Sequence, residues 1–175
     1  AIAKAGFNVA TTYTHLGKYD LALNYYFLVL PYIEEQKNER MLAVAYNNLQ
    51  SVYRILHQYE KAINYGNKAL QLIKTSKDSV TLTYTLSNLG TNYASLNKLD
   101  RALSFYNEAY VISNKLGDMY SGSTLLLNIG DIDYVAVNQD PKANILQKIK
   151  YTLLSKPNFK FYFQKFNNKK ISIFK

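Results

Sequence analysis

Residues 78–117 read DSVTLTYTLSNLGTNYASLNKLDRALSFYNEAYVISNKLG, and two amphipathic helices are legible in that stretch. At 100° per residue Leu86, Leu89, Gly90 and Tyr93 fall within about 100° of one another, which makes one apolar stripe. The pattern breaks at Asn97–Leu99. Asp100 then stands in the first turn of a second helix, where a carboxylate offsets the positive end of the helix dipole. That helix turns Ala102, Leu103, Tyr106 and Ala109 inward. Asp78, just ahead of the first helix, is placed to cap it.

Sliding the chain along itself extends this unit in both directions with a period of 40 residues. Tyr13, Tyr53 and Tyr93 share a column, as do Leu16, Leu56 and Leu96, and Ala22, Ala62 and Ala102. Asp20, Glu60 and Asp100 form an acidic column, and Asn38, Asp78 and Asp118 recur ahead of each new copy as N-caps. The alanine column and Gly90 and Gly130 let paired helices approach closely, and most tyrosines read as core. A fourth copy keeps Leu126, Ile129 and Gly130 in register and then decays, with Asp133 in the tyrosine column. Allowing one inserted residue, Asp140-Pro141 would open an eighth helix with Ile145, Leu146, Ile149 and Leu153 on its apolar face, ending before Pro157.

Leu89-Gly90-x-x-Tyr93 followed by Ala102-x-x-x-Tyr106 resembles the tetratricopeptide repeat pattern, kept as Leu49, Tyr53 and Ala62 in the second copy and as Val9, Tyr13, Ala22 and Tyr26 in the first. Departures are the missing opening tryptophan, the missing proline at the repeat end, Gly66 where the other copies hold an aromatic, and a period longer than the common 34. The longer period is similar to the variant in kinesin light chains and in bacterial peptide-sensing regulators. The resemblance implies an all-α fold, a right-handed superhelical solenoid of antiparallel helix pairs with about 3.5 to 4 repeats in this chain. The expected array spans residues 1–155, with repeats at about 1–37, 38–77, 78–117 and a degenerate 118–155, and a basic aromatic tail at 156–175. It also implies a protein- or peptide-binding scaffold or sensory module of a larger signalling or regulatory protein.

One column holds in all four copies: Asn8, Asn48, Asn88 and Asn128. Asn88 lies about 200° around the helix from Leu86, with Tyr84, Thr91 and Ser95 near it. Asparagine is a poor helix former, so four in one mid-helix column point to another role. An amide offers donors and an acceptor together and can pair with an extended peptide backbone whatever its sequence. In the resembled families the matching column lines the concave groove. The expected peptide-binding set is therefore Asn8, Asn48, Asn88 and Asn128, with Lys4, Thr11, His15, Ser51, Tyr84 and Thr91 around them. The competing expectation is a hydrogen bond between neighbouring first helices that fixes repeat stacking.

Other chemistry is thinly represented. The chain has no cysteine, so thiolate metal sites and cysteine nucleophiles are excluded. His15 and His57 occupy different columns without clustered acids, and Asp131-x-Asp133 lacks the glycine and glutamate of a calcium loop. No phosphate loop or nucleophile motif occurs; no catalytic residue, metal or cofactor is expected. No stretch reaches the roughly 18 apolar residues of a membrane span. The absence of an initiating Met and the helical pattern already running at Ala1 read as a fragment of a longer protein. Residues 1–140 hold 12 Lys and Arg against 12 Asp and Glu, whereas 141–175 hold 9 Lys and no acid, so the net +9 belongs to that segment. Its mixture of lysine and aromatics offers nucleic-acid or anionic-surface binding as an alternative function. A basic cap, a disordered end and an out-of-frame translation are the other readings of the tail.

Overall fold

A computed structural model describes residues 2–74 and 76–139, and the expected eighth helix and the basic tail lie outside them. Seven helices and no strand occur among the described residues: α1 (Ile2–His15), α2 (Tyr19–Glu35), α3 (Glu39–Ile55), α4 (Tyr59–Ile73), α5 (Ser79–Ser95), α6 (Leu99–Leu116) and α7 (Met119–Gln139). The fold is an all-α helical repeat. The chain forms two compact units, Ala1–Phe105 and Tyr106–Lys175, with the boundary inside α6.

The helix ends follow the column chemistry. Asn38 accepts from the Met41 N–H at 2.9 Å, Asp78 from Thr81 at 3.0 Å and Asp118 from Ser121 at 3.0 Å, so each first helix after α1 starts under a side-chain cap. Helices α2 and α4 open at Lys18 and Gln58 with no such bond and carry Asp20 and Glu60 in their first turns instead. The first helices end in one motif. Gly17, His57 and Asn97 all take positive φ, and the N–H of the next residue reaches back to the tyrosine column: Lys18 to the Tyr13 carbonyl at 2.9 Å, Gln58 to Tyr53 at 2.8 Å, Lys98 to Tyr93 at 2.9 Å. This is the Schellman closure, in which a left-handed residue lets the last carbonyls find donors.

In the first unit the core alternates small and large side chains. Ala10, Ala22, Tyr26, Val29 and Ile33 of the first repeat pack with Ala45, Leu49, Val52 and Ala62 of the second. Ala43, Ala69 and Ile73 continue the packing towards Leu82 of α5. Each of the first three repeats carries a stacked aromatic pair between its two helices: Tyr13 on Tyr25 with centroids 5.5 Å apart, Tyr53 on Tyr65 at 5.5 Å, Tyr93 on Phe105 at 5.4 Å. Each pair adds about 0.5–1.5 kcal/mol beyond its buried area. Lys61 and Arg101, in one column of the repeat, lie over the Tyr53 and Tyr93 rings. The tyrosines are less uniformly core than the columns suggest: Tyr26, Tyr53, Tyr93 and Tyr106 are buried, Tyr13 is half-buried, and Tyr32, Tyr84 and Tyr120 are exposed. In the second unit Tyr106, Ala109, Ser113, Leu125 and Ile132 are buried.

Candidate peptide-binding face

The asparagine column sits on the first helix of each repeat, at mid-helix positions of α1, α3, α5 and α7. Asn8 is exposed, while Asn48, Asn88 and Asn128 are half-buried. The helical wheel puts these side chains opposite the apolar stripe, yet Asn48, Asn88 and Asn128 are more covered than a lone helix would leave them. The Nδ2 of Asn88 is fully buried and finds no hydrogen-bond partner among the described residues. A buried amide donor left unpaired costs about 1–3 kcal/mol.

Of the surrounding candidates, Ser51 on α3 and Tyr84 on α5 are brought together across the repeat boundary, their hydroxyls 3.5 Å apart. Lys4 and His15 are exposed on α1. Thr11 departs from the expected face. Its hydroxyl donates to the Phe7 carbonyl at 3.0 Å and lies 3.3 Å from the Tyr26 hydroxyl, which turns it towards α2. Thr91 donates its hydroxyl to the Ser87 carbonyl at 3.0 Å, a bond within its own helix.

The hydrogen bond between neighbouring first helices is made one column away from the ladder. Asn47 Nδ2 donates to Thr85 Oγ1 at 2.8 Å, with both residues buried. A second polar side chain, Gln50, is wholly buried, and both of its amide atoms lack partners among the described residues. Gly66 makes room for it: an ideal Cβ at Gly66 would lie 2.5 Å from Gln50 Nε2 and 2.7 Å from Leu89 Cδ2. Asn92, also buried, has both amide atoms unpaired. None of these three was singled out from the sequence. The usable signal was paired: where the first and third repeats hold Ala10 with Tyr26 and Gly90 with Tyr106, the second holds Gln50 with Gly66.

Electrostatics is mild. Asp78 is held below the usual carboxylate range by the Thr81 backbone N–H, with the Arg40 guanidinium 2.7 Å away on α3 as a further cause. Burial pushes the Tyr46 hydroxyl up, and the Glu34 carboxylate that accepts its bond at 3.2 Å adds to the effect. Among the described residues no three His, Asp or Glu side chains group as metal ligands, and no helix is long and apolar enough to cross a membrane.

Comparison with known proteins agrees with this architecture. A tetratricopeptide repeat family model matches twice, over residues 2–75 and 41–115. No curated protein sequence matches the chain. A solved structure, BtubC (BKLC) from P. vanneervenii, is similar at 23% identity with a TM-score of 0.74, covering 93% of this chain and 64% of that one, so the chain spans under two thirds of that protein's length. At that identity the likeness concerns the fold alone. Repeats of this class generally mediate protein–protein interactions and are typically non-catalytic. With more than half of its residues matched by the family model, and helix pairs at a 40-residue period, the chain belongs to the tetratricopeptide repeat family.

Proposed function

We propose that the first-helix face carrying Asn8, Asn48 and Asn88 holds an extended segment of a partner protein by its backbone; Asn128 holds the same sequence column in the fourth copy. The reading is that of a binding module. The observation that carries it is the buried Nδ2 of Asn88, without a partner among the described residues, and it is supported by a hydrogen bond between α3 and α5 that runs from Asn47 to Thr85 rather than through the ladder. Tyr84 and Ser51, adjoining across the same boundary, would contact side chains of the bound segment.

The test is the pair Asn48→Ala and Asn88→Ala. Replacing a half-buried asparagine by alanine improves helix propensity by a few tenths of a kcal/mol and removes no side-chain hydrogen bond found among the described residues. The double variant is expected to unfold at or above the parent temperature. Peptides selected on the parent from a random-sequence display library should lose affinity by about 1 kcal/mol or more per removed amide, read by calorimetric titration. A double variant that melts lower while binding those peptides as tightly would assign the ladder to stacking and end the proposal.

A further inference from the structure

The side chain four residues ahead of each ladder asparagine changes from repeat to repeat: Lys4 before Asn8, Val44 before Asn48, Tyr84 before Asn88. Cover over the asparagine changes with it. Asn8 is exposed, whereas the Nδ2 of Asn88 is fully buried without a hydrogen-bond partner among the described residues. Tyr84 keeps 49% of its surface exposed, yet its hydroxyl lies 3.5 Å from that of Ser51 on the neighbouring first helix.

Helical geometry sets the path of that ring. With Leu86 at 0°, Tyr84 stands at about 160° around α5, Asn88 at about 200° and Thr85 at about 260°. Thr85 marks the direction of α3, because it receives the Asn47 amide at 2.8 Å. Around the helix, Asn88 therefore lies between Tyr84 and α3. It lies between them along the axis as well. First helices of stacked repeats run in the same sense, and Ser51 stands one turn beyond Asn47, level with the turn beyond Thr85 that carries Asn88. A tyrosine that starts one turn before Asn88 and ends against Ser51 crosses the Asn88 amide. Val44, in the same column of the second repeat, is too short for such a crossing.

We propose that Tyr84 is a movable lid over the Asn88 amide, latched on Ser51 in the free chain and swung aside when a segment binds, a regulation of the face that rests on the ladder reading given above. The latch is weak, since two hydroxyls 3.5 Å apart stand at the outer limit of hydrogen bonding. A half-exposed side chain changes rotamer quickly and without disturbing a core. Closure covers apolar surface but hides an amide donor from water, and the two effects oppose one another. Closed and open positions are thus near in free energy, and a backbone carbonyl that bonds the Nδ2 favours the open one. The apparent affinity is the intrinsic affinity reduced by the open fraction.

The test uses the full chain in two arms. In the free chain, exchange of the Asn88 side-chain amide protons with water is followed by heteronuclear NMR, the signal being identified by its loss in Asn88→Ala. Tyr84→Ala should speed this exchange by about tenfold or more, and Tyr84→Phe, which keeps the ring and drops the latch, by about two- to fivefold. Both variants should melt within about 2 °C of the parent, so that the exchange reads local uncovering. In the second arm the probes are display-selected peptides whose affinity falls in Asn88→Ala. Tyr84→Phe should raise their association rate by about two- to fivefold. Asn88 exchange that is unchanged in Tyr84→Ala overturns the proposal, since another group then covers the amide. So does faster exchange with an unaltered or slower association rate, which makes Tyr84 a contact and not a gate. If no selected peptide depends on Asn88, the ladder reading fails and the gating role falls with it, while the first arm separately decides whether the ring covers the amide.

Discussion

Lys37 carries a cost that its column does not require. It closes α2 with φ of 50°, a left-handed conformation, and Gly117 holds the corresponding place two repeats later. A residue with a Cβ pays about 1–2 kcal/mol there, partly offset by the entropy a glycine loses on folding. Lys37→Gly is therefore expected to raise stability by about 0.5–1 kcal/mol in urea unfolding, and Asn97→Gly by less, because asparagine tolerates the left-handed region. Asp78 makes a second residue-level prediction. Its carboxyl is lowered from 3.8 by the Thr81 N–H and then by Arg40, so its contribution is present above that value and is lost as pH falls through the folded pKa. Asp78→Asn keeps a capping oxygen, as Asn38 does at α3, but gives up the ion pair. Parent and variant should differ in unfolding midpoint at pH 7, and the difference should shrink progressively as the pH is taken below 3.8. These caps were legible in the sequence because capping is local and its partner lies three residues on. The fate of Thr11 was not: its hydroxyl is directed by Tyr26, fifteen residues away on another helix.

Between paired helices the second repeat inverts the packing of the first. The first repeat has Ala10 and Tyr26 in the columns where the second sets Gln50 against Gly66. Gly66→Ala should destabilise, its Cβ being driven into Gln50 and Leu89, and Gly66→Tyr more so, since overpacking costs about 1–3 kcal/mol or more. Adding Gln50→Ala to Gly66→Tyr rebuilds the Ala10 and Tyr26 arrangement and removes two unpaired buried amide atoms. The double variant is expected to exceed the parent by about 1–3 kcal/mol in urea unfolding, a strong non-additivity that a double-mutant cycle would measure. Helix positions, apolar stripes and the alanine column were readable because a 40-residue period repeats them three times. Gln50, Asn47 and Asn92 were not, because each is polar in a column that varies, and a single-helix wheel has no term for what an adjoining repeat covers. The same omission left Asn88 looking more open than it is.

Across the whole molecule, charge is partitioned so that residues 1–140 are balanced and the excess of nine lysines lies in 141–175. Oligonucleotide binding, if measured at low salt, is therefore expected to vanish when those nine lysines are changed to glutamine, while the repeat-borne peptide binding persists; retention of oligonucleotide binding would place the cationic contact on the repeats instead. Fold class was legible at this scale from three reinforcing copies, and ligand identity was not, because function resides in surface side chains grafted on a common frame. The Gln50 and Gly66 pairing also bears on how such a chain can be reshuffled in evolution. Recombination between repeats that breaks the chain at a turn within a pair, near His57 or Asn97, would join a Gln50 helix to a tyrosine-bearing partner or leave a glycine facing a glycine. Breaks at the links around Lys37 and Lys77 keep each pair with its own partner. Viable duplications of this array should thus have their crossover points between repeats, and the helix pair, rather than the single helix, is its unit of inheritance.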